Sequence, residues 1–256
     1  MNLKLKHAFQ EIDGLISEYD AETLYEAAKR LPQKAIIVEV GTFKAKSTIC
    51  MALGLAKNHN NNAKIYSFDI LHDPEATQNI KKAGVTKYIT LIQSKSPPPK
   101  SKWNKNTTID LLYIDGNHEA PYPENDLKYW LPRLKYGGKL IMDDWRCKGV
   151  KQAFEKCVVG DNQYIRAKVN EDLAIATKRI YGEPIKTRMQ YTASAGKEAT
   201  RQIIGWVGGR VKNVFWCMGL WKNNCPYCNK PLKKTGHAPN KTYACYDKYC
   251  VFNSTR

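Results

Sequence analysis

The chain has 256 residues, 43% of them hydrophobic and 25% charged, which suits one full-sized domain plus a small appendage and excludes wholesale disorder. Its longest apolar runs, such as residues 35–40, are too short to span a bilayer, so no transmembrane segment is expected. The formal net charge of +17 is uneven: residues 1–150 hold 22 Lys and Arg against 17 Asp and Glu, whereas residues 151–256 hold 19 against 7, a basic tail that suits polyanions.

In chain order, residues 3–31 read as one or two amphipathic helices, ending near Pro32. Glu11 and Asp13 interrupt what would have to be the apolar stretch of a signal peptide, so the expectation is a cytoplasmic, intracellular protein. Residues 35–40 (AIIVEV) form a short β-branched run, the mark of a buried parallel strand, and lead through Gly41 into a helix over about 47–57. A second strand covers 64–69, a helix 74–83 and a third strand 88–93, after which Pro97, Pro98 and Pro99 forbid regular structure. The fourth strand is 109–115, followed by a helix around 124–134. The fifth strand, 139–144, is entered through a turn at Gly137 and Gly138. A helix near 150–158 and strands at 164–169 and 173–177 complete the series. Seven strands alternating with helices predict an α/β fold, a doubly wound and mainly parallel seven-stranded sheet covered on both faces.

Beyond residue 182 the alternation stops. The expected organisation is a main domain over 1–182, a basic, Trp-rich connector over 183–222 and a cysteine-bearing module over 223–256. In the connector, Ile203, Ile204, Val207, Val211, Val214, Phe215 and Met218 share one helical face, which by default packs on the main domain.

In an open α/β sheet, ligands bind beyond the carboxyl ends of the strands. Acids cluster there: Glu39, Asp69, Asp115, Asp143 and Asp144. Asp115 and the Asp143–Asp144 pair come from strands expected to be neighbours. Their mutual repulsion calls for a hard divalent cation with oxygen ligands, magnesium or calcium; solvated carboxylates and helix caps are the alternative. The first turn, from Glu39 through Gly41, Thr42 and Phe43 to Ser47, lacks the glycine pattern of a dinucleotide site and is no phosphate-binding loop. One glycine allows a tight turn, Ser47 and Thr48 open a helix toward a small carboxylate, and Asp69 suits ribose hydroxyls. A ligand with a ribose, a carboxylate and no phosphate is S-adenosylmethionine.

VEVGTFKAKST, YSFD and LLYIDGNHEAPYPENDLKYWLPRLKYGGKLIMDDW together resemble the metal-dependent class I methyltransferases, in particular the catechol O-methyltransferase-like enzymes and the group of rhamnosyl O-methyltransferases and cephalosporin-hydroxylase-like proteins, over residues 33–180. The resemblance implies the Rossmann-like methyltransferase fold. It implies that Glu39, Gly41 and Ser47 line the methionine end of the cofactor, with Thr42 and Phe43 in the same turn, that Asp69 holds the ribose, and that Ser94 contacts adenine. It puts Asp115, Asp143 and Asp144 on the positions of the metal ligands, magnesium being the expected ion. His118, three residues beyond Asp115, would then accept the proton of a substrate hydroxyl; the bland alternative is a loop histidine bonded to backbone.

Cys225 and Cys228, followed by Cys245 and Cys250, have the outline of a zinc ribbon, in which four thiolates hold a structural zinc ion. Lysines and tyrosines interleave around them, which suits a nucleic-acid strand, a protein partner or a self-association surface giving a homo-oligomer. The function expected is O-methylation of a hydroxyl on a small molecule or sugar. Methylation of nucleic acid or protein recruited by the tail, or a non-catalytic scaffold carrying the zinc module, are the competing expectations.

Overall fold

The computed structural model describes residues 3–60 and 62–180 with their side chains, and the backbone of 190–191, 232–235 and 242–245. The chain divides into two compact units, residues 1–192 and 193–256. The boundaries expected near 182 and 222, the apolar helix face over 203–218 and the side chains of all four clustered cysteines lie outside the described residues. In the second unit, β9 (Leu232–Thr235) pairs antiparallel with β10 (Thr242–Cys245).

In the first unit, two helices precede the sheet, α1 (Leu3–Glu11) and α2 (Glu18–Lys29). The break between them is chemical: Ser17 accepts from the Asp20 N–H and Asp20 accepts from the Ser17 N–H, a reciprocal cap that starts a fresh helix. Then come β1 (Ile36–Val40), α3 (Lys46–Lys57), β2 (Lys64–Asp69), α4 (Pro74–Lys82), β3 (Ile89–Gln93), β4 (Ile109–Ile114), α5 (Tyr122–Trp130), β5 (Leu134–Met142), α6 (Lys148–Phe154), β6 (Tyr164–Asn170) and β7 (Leu173–Lys178). The strands lie in the order β3-β2-β1-β4-β5-β7-β6, and a two-residue β8 (Gln190–Tyr191) adds to the β6 edge. The pairs among β1 to β5 are all parallel, and β7 runs antiparallel to both its neighbours. This is the expected mainly parallel seven-stranded sheet.

Alternation along the central strands divides the core. Ile37, Leu111, Tyr113 and Ile141 face the layer that holds α1, α2 and α3. Val38, Leu112, Leu140 and Met142 face α5 and α6, where Trp130 and Phe154 are fully buried. Each such aliphatic side chain contributes about 1.5–3 kcal/mol on burial. All six residues of β4 are buried, including Asp110, whose carboxylate accepts from Lys135 Nζ and from the Ile36 N–H at 2.8 Å each. That pairing fixes the starts of β1, β4 and β5 together.

Three boundaries differ from the sequence expectation. β5 begins at Leu134, and Gly137 and Gly138 sit inside it: between the Ile109–Leu134 and Leu111–Lys139 pairs it gains extra residues, a bulge that Gly137 permits with φ of 79°. α5 ends at Trp130 in a 3-10 turn over Leu131–Arg133, because Pro132 has no N–H to continue the α-helical ladder. α6 widens into a π-turn over Glu155–Val159.

Candidate active site

The tips of the central strands are locked side by side. The Gly41 N–H donates to Phe68 O, the Asp115 N–H to Val40 O and the Asp143 N–H to Ile114 O, at 2.8–2.9 Å. The loops leaving β1, β2, β4 and β5 therefore open together, and with residues 14–20 they surround a cavity of about 820 Å³. Gly41, Thr42, Phe43, Ser47, Asp69, Ser94, Asp115, His118, Asp143 and Asp144 all line it. These expected residues, spread between Gly41 and Asp144 in the sequence, share one concave site.

Gly41 has φ of 95°, and a Cβ there would lie 1.9 Å from Asp115 O. Only glycine lets β1 turn while β4 passes this close. After the turn, Asp69 clamps the loop: Oδ2 accepts from the Thr42 and Phe43 N–H groups at 2.8 and 3.0 Å, and Oδ1 accepts from the Leu71 N–H at 3.0 Å. A carboxylate accepts about four hydrogen bonds. Asp69 thus keeps one acceptor position for a further donor, and a second donor has to exchange with one of the backbone N–H groups. Ser94 is tied to the same acid, its N–H donating to Asp69 O at 2.7 Å.

Glu39 departs from its expected place. It does not reach the cavity; it is fully buried behind Ser47. Ser47 Oγ donates to Oε1 at 2.6 Å, and Thr48 Oγ1 and Ser67 Oγ donate to Oε2 at 2.5 Å each, so the carboxylate is caged by hydroxyls. Thr42 Oγ1 continues the chain to Ser67 Oγ at 2.6 Å. Burial pushes the Glu39 carboxyl up to about 7, against the pull of these donors. Because Ser47 spends its proton on Glu39, it presents a lone pair to the cavity, which suits an ammonium group better than a carboxylate.

Opposite stand the acids. Asp115 is pushed well above the usual carboxylate range by burial and by the charges of Asp143 and Asp144. Asp143 is pushed up to about 7, by burial first and then by Asp20. Tyr113 Oη lies 2.8 Å from Asp143 Oδ2 and 3.2 Å from Asp115 Oδ2, and its single proton serves one of them at a time. Asp144 takes a left-handed conformation, φ 56°, and its N–H donates to Asp143 Oδ1 at 2.8 Å. His118 Nε2 sits 3.4 Å from Asp144 Oδ2, and Nδ1 lies 3.7 Å from Cys147 Sγ. The histidine loop is seated against α6: a Cβ on Gly149 would fall 2.3 Å from His118 O.

One residue of this site and one just outside it have no strand-tip position to announce them. Asp20 lines the cavity from α2; it is 4% exposed, and its Oδ1 has no hydrogen-bond partner among the described residues. The Ser17-x-x-Asp20 capping pattern marks it as a helix start, and nothing local in the sequence points it at Asp143. Cys147 reads as an isolated thiol, yet it begins α6 beside His118.

Residues 38–145 match the family model of a methyltransferase domain. Among solved structures, the chain is similar to an O-methyltransferase from Bacillus cereus in complex with SAH, at 16% identity and a TM-score of 0.55, covering 70% of this chain and 92% of that one. It is similar also to the O-methyltransferase TomG from Streptomyces achromogenes, in complex with SAM, at 15% identity and a TM-score of 0.52, over 70% of this chain and 91% of that one. A third is a SAM-dependent O-methyltransferase from Thermotoga maritima, at 14% identity and a TM-score of 0.53, over 72% of this chain and 74% of that one. These likenesses establish the Rossmann-like methyltransferase fold, and the segment that matches the methyltransferase-domain model runs from within β1 to just beyond β5.

Proposed function

We propose that this chain transfers the methyl group of S-adenosylmethionine to a hydroxyl of a small molecule or sugar, with help from a divalent cation. The observation that carries the reading is the opposition, across one cavity, of the clamped Gly41–Asp69 loop and the Asp115, Asp143 and Asp144 carboxylates. The methionine end of the cofactor lies along Gly41 and Ser47, the ribose against Asp69 and the adenine toward Ser94.

The acid set fits a cation by its chemistry: the donors are hard oxygens, and the crowding that lifts Asp115 and Asp143 is relieved by positive charge. Asp115, Asp143 and Asp144 would hold magnesium. Bound there, the ion supplies positive charge that favours the ionised form of the acceptor hydroxyl. His118, which lines the same cavity, accepts the hydroxyl proton on its imidazole as the oxygen attacks the methyl carbon and the carbon–sulfur bond breaks. The S-adenosylhomocysteine left behind is neutral at sulfur, which removes the attraction between the sulfonium and the acids.

The test combines calorimetric titration of S-adenosylmethionine with transfer of a labelled methyl group to catechol and glycan acceptors, with magnesium and with a chelator. Magnesium-dependent transfer is expected. Equal turnover with the chelator removes the cation from the reading, and no binding of S-adenosylmethionine overturns all of it. The basic tail and Cys225, Cys228, Cys245 and Cys250 support a zinc-held module that presents the enzyme to a partner. Elemental analysis of the full chain reads the zinc directly, and methyl transfer to RNA or protein in place of small acceptors would move the acceptor class to the tail's partner.

A further inference from the structure

We propose that His118, Asp144 and Cys147 form a second metal site, one for a borderline ion such as zinc, and that its occupation shuts the transferase off. One ligand atom from each of the three side chains lies within 4.8 Å of the other two. Around a zinc ion with bonds of about 2.0–2.3 Å, tetrahedral ligands sit roughly 3.3–3.8 Å apart. The 3.4 Å and 3.7 Å separations already fall in that interval, although they engage different nitrogens of the ring. A shift of the exposed imidazole, by an ångström or so, closes the set.

The frame around the three is built. The Cys147 N–H donates to Asp144 O at 2.8 Å, which holds the thiol and the carboxylate on one turn. Gly149 lets the backbone at His118 pack on the start of α6. His118 is 49% exposed and Asp144 35%, so an ion enters from solvent and water completes its coordination. The donor chemistry selects the metal: thiolate, imidazole and one carboxylate favour zinc over magnesium, which prefers oxygen alone. On binding, the thiol proton leaves to solvent as the sulfur–metal bond forms.

The consequence for catalysis rests on the function proposed above. A zinc ion here occupies the imidazole that accepts the proton and the carboxylate of Asp144 that the magnesium set shares. The two metals therefore compete through Asp144, and zinc inhibits while magnesium activates.

The experiment uses the full chain. Cysteines are alkylated with and without added zinc sulfate, and Cys147 is quantified by peptide mass spectrometry, which keeps it separate from the tail cysteines. Zinc is expected to slow Cys147 alkylation at least tenfold in the natural sequence and to have no effect on it in His118→Ala. Equal labelling with and without zinc overturns the site, and so does undiminished protection in His118→Ala. Magnesium-supported transfer is then assayed against zinc: Cys147→Ser should retain turnover and need at least tenfold more zinc for half-inhibition. Protection of Cys147 without inhibition leaves the metal site standing and removes Asp144 and His118 from the catalytic reading, so the two failures are told apart.

Discussion

The two ends of the cavity solve opposite problems with the same side chain. At the β1–β2 end, Glu39 and Asp69 are satisfied: three hydroxyls cage Glu39, and three backbone N–H groups bind Asp69. At the β4–β5 end, Asp20, Asp115, Asp143 and Asp144 face one another with a single tyrosine proton between two of them, and Asp20 Oδ1 has no partner among the described residues. The first end is complete by itself and holds a loop in shape. The second is incomplete, and the electrostatic cost of assembling it is offset only when positive charge arrives. Hydrogen-bond partners, rather than burial alone, therefore separate the acids that hold the loop from those left to bind positive charge.

Breaking the incomplete end should affect chemistry most. Asp115→Ala is expected to lower methyl transfer on the order of a thousandfold, by removing one of the three carboxylates that would hold the cation favouring the ionised acceptor oxygen. Circular dichroism should show the fold kept, because the carboxylate opposes its neighbours instead of holding the sheet. Turnover that stays magnesium-dependent and near the natural rate would defeat the assignment. His118→Ala should follow, with a loss of about a hundredfold that shrinks as pH rises and the acceptor ionises unaided. A loss that is flat with pH would make the histidine a positioning residue only.

Breaking the complete end should affect stability and cofactor binding together. Gly41→Ala puts a methyl group into Asp115 O and asks alanine to hold φ of 95°. Strain and overpacking each cost about 1–3 kcal/mol, so a marked drop in the unfolding midpoint is expected, with weakened S-adenosylmethionine binding by calorimetry. Ala45 supplies the internal contrast. It too is left-handed, φ 66°, and it is fully buried, yet its Cβ has been accommodated. The distinction is the backbone carbonyl facing Gly41, and an unchanged midpoint in Gly41→Ala would show that β4 can move away.

What the sequence made legible follows from what it encodes locally. β2 was readable to the residue, because KIYSFD is a compact β-branched and aromatic run ended by an acid. The acids at strand tips were readable as one group because parallel topology brings all carboxyl ends to one edge. The Gly137–Gly138 bulge was not, since a glycine pair signals a turn as well as a kink, and only pairing with β4 chooses. Glu39 was expected on the wall; the three hydroxyl residues that draw it inward, Ser47, Thr48 and Ser67, sit on α3 and β2, and no spacing rule joins them. Asp20 as a site residue and Cys147 as a neighbour of His118 were invisible for the same reason: tertiary packing alone sets each beside its partner.

The smallest effect gives the sharpest separation of the two ends. Glu39 and Asp143 are both pushed up to about 7, and Asp115 is raised well above its ordinary range, from carboxyl values of 4.5 for Glu and 3.8 for Asp. Between those ordinary values and about 7 the folded protein binds more protons than the unfolded chain, so stability falls as pH rises through this window. The acids held below their usual range, Asp13, Glu26 and Glu124, are paired with lysines at the surface and act at lower pH with the opposite sign. The unfolding midpoint of the metal-free protein is thus expected to decline from roughly pH 5 to pH 8. Magnesium should restore little at the low end, where Asp143 is protonated, and more at the high end, where Asp143 has lost its proton. It cannot reach Glu39, which lies behind Ser47, so the caged acid contributes to the slope that survives saturating magnesium, together with the raised acids Asp20, Asp126, Glu155 and Glu171, and that slope should shrink in Glu39→Gln. A magnesium increment equal at both pH values would mean that the ion binds away from Asp115 and Asp143.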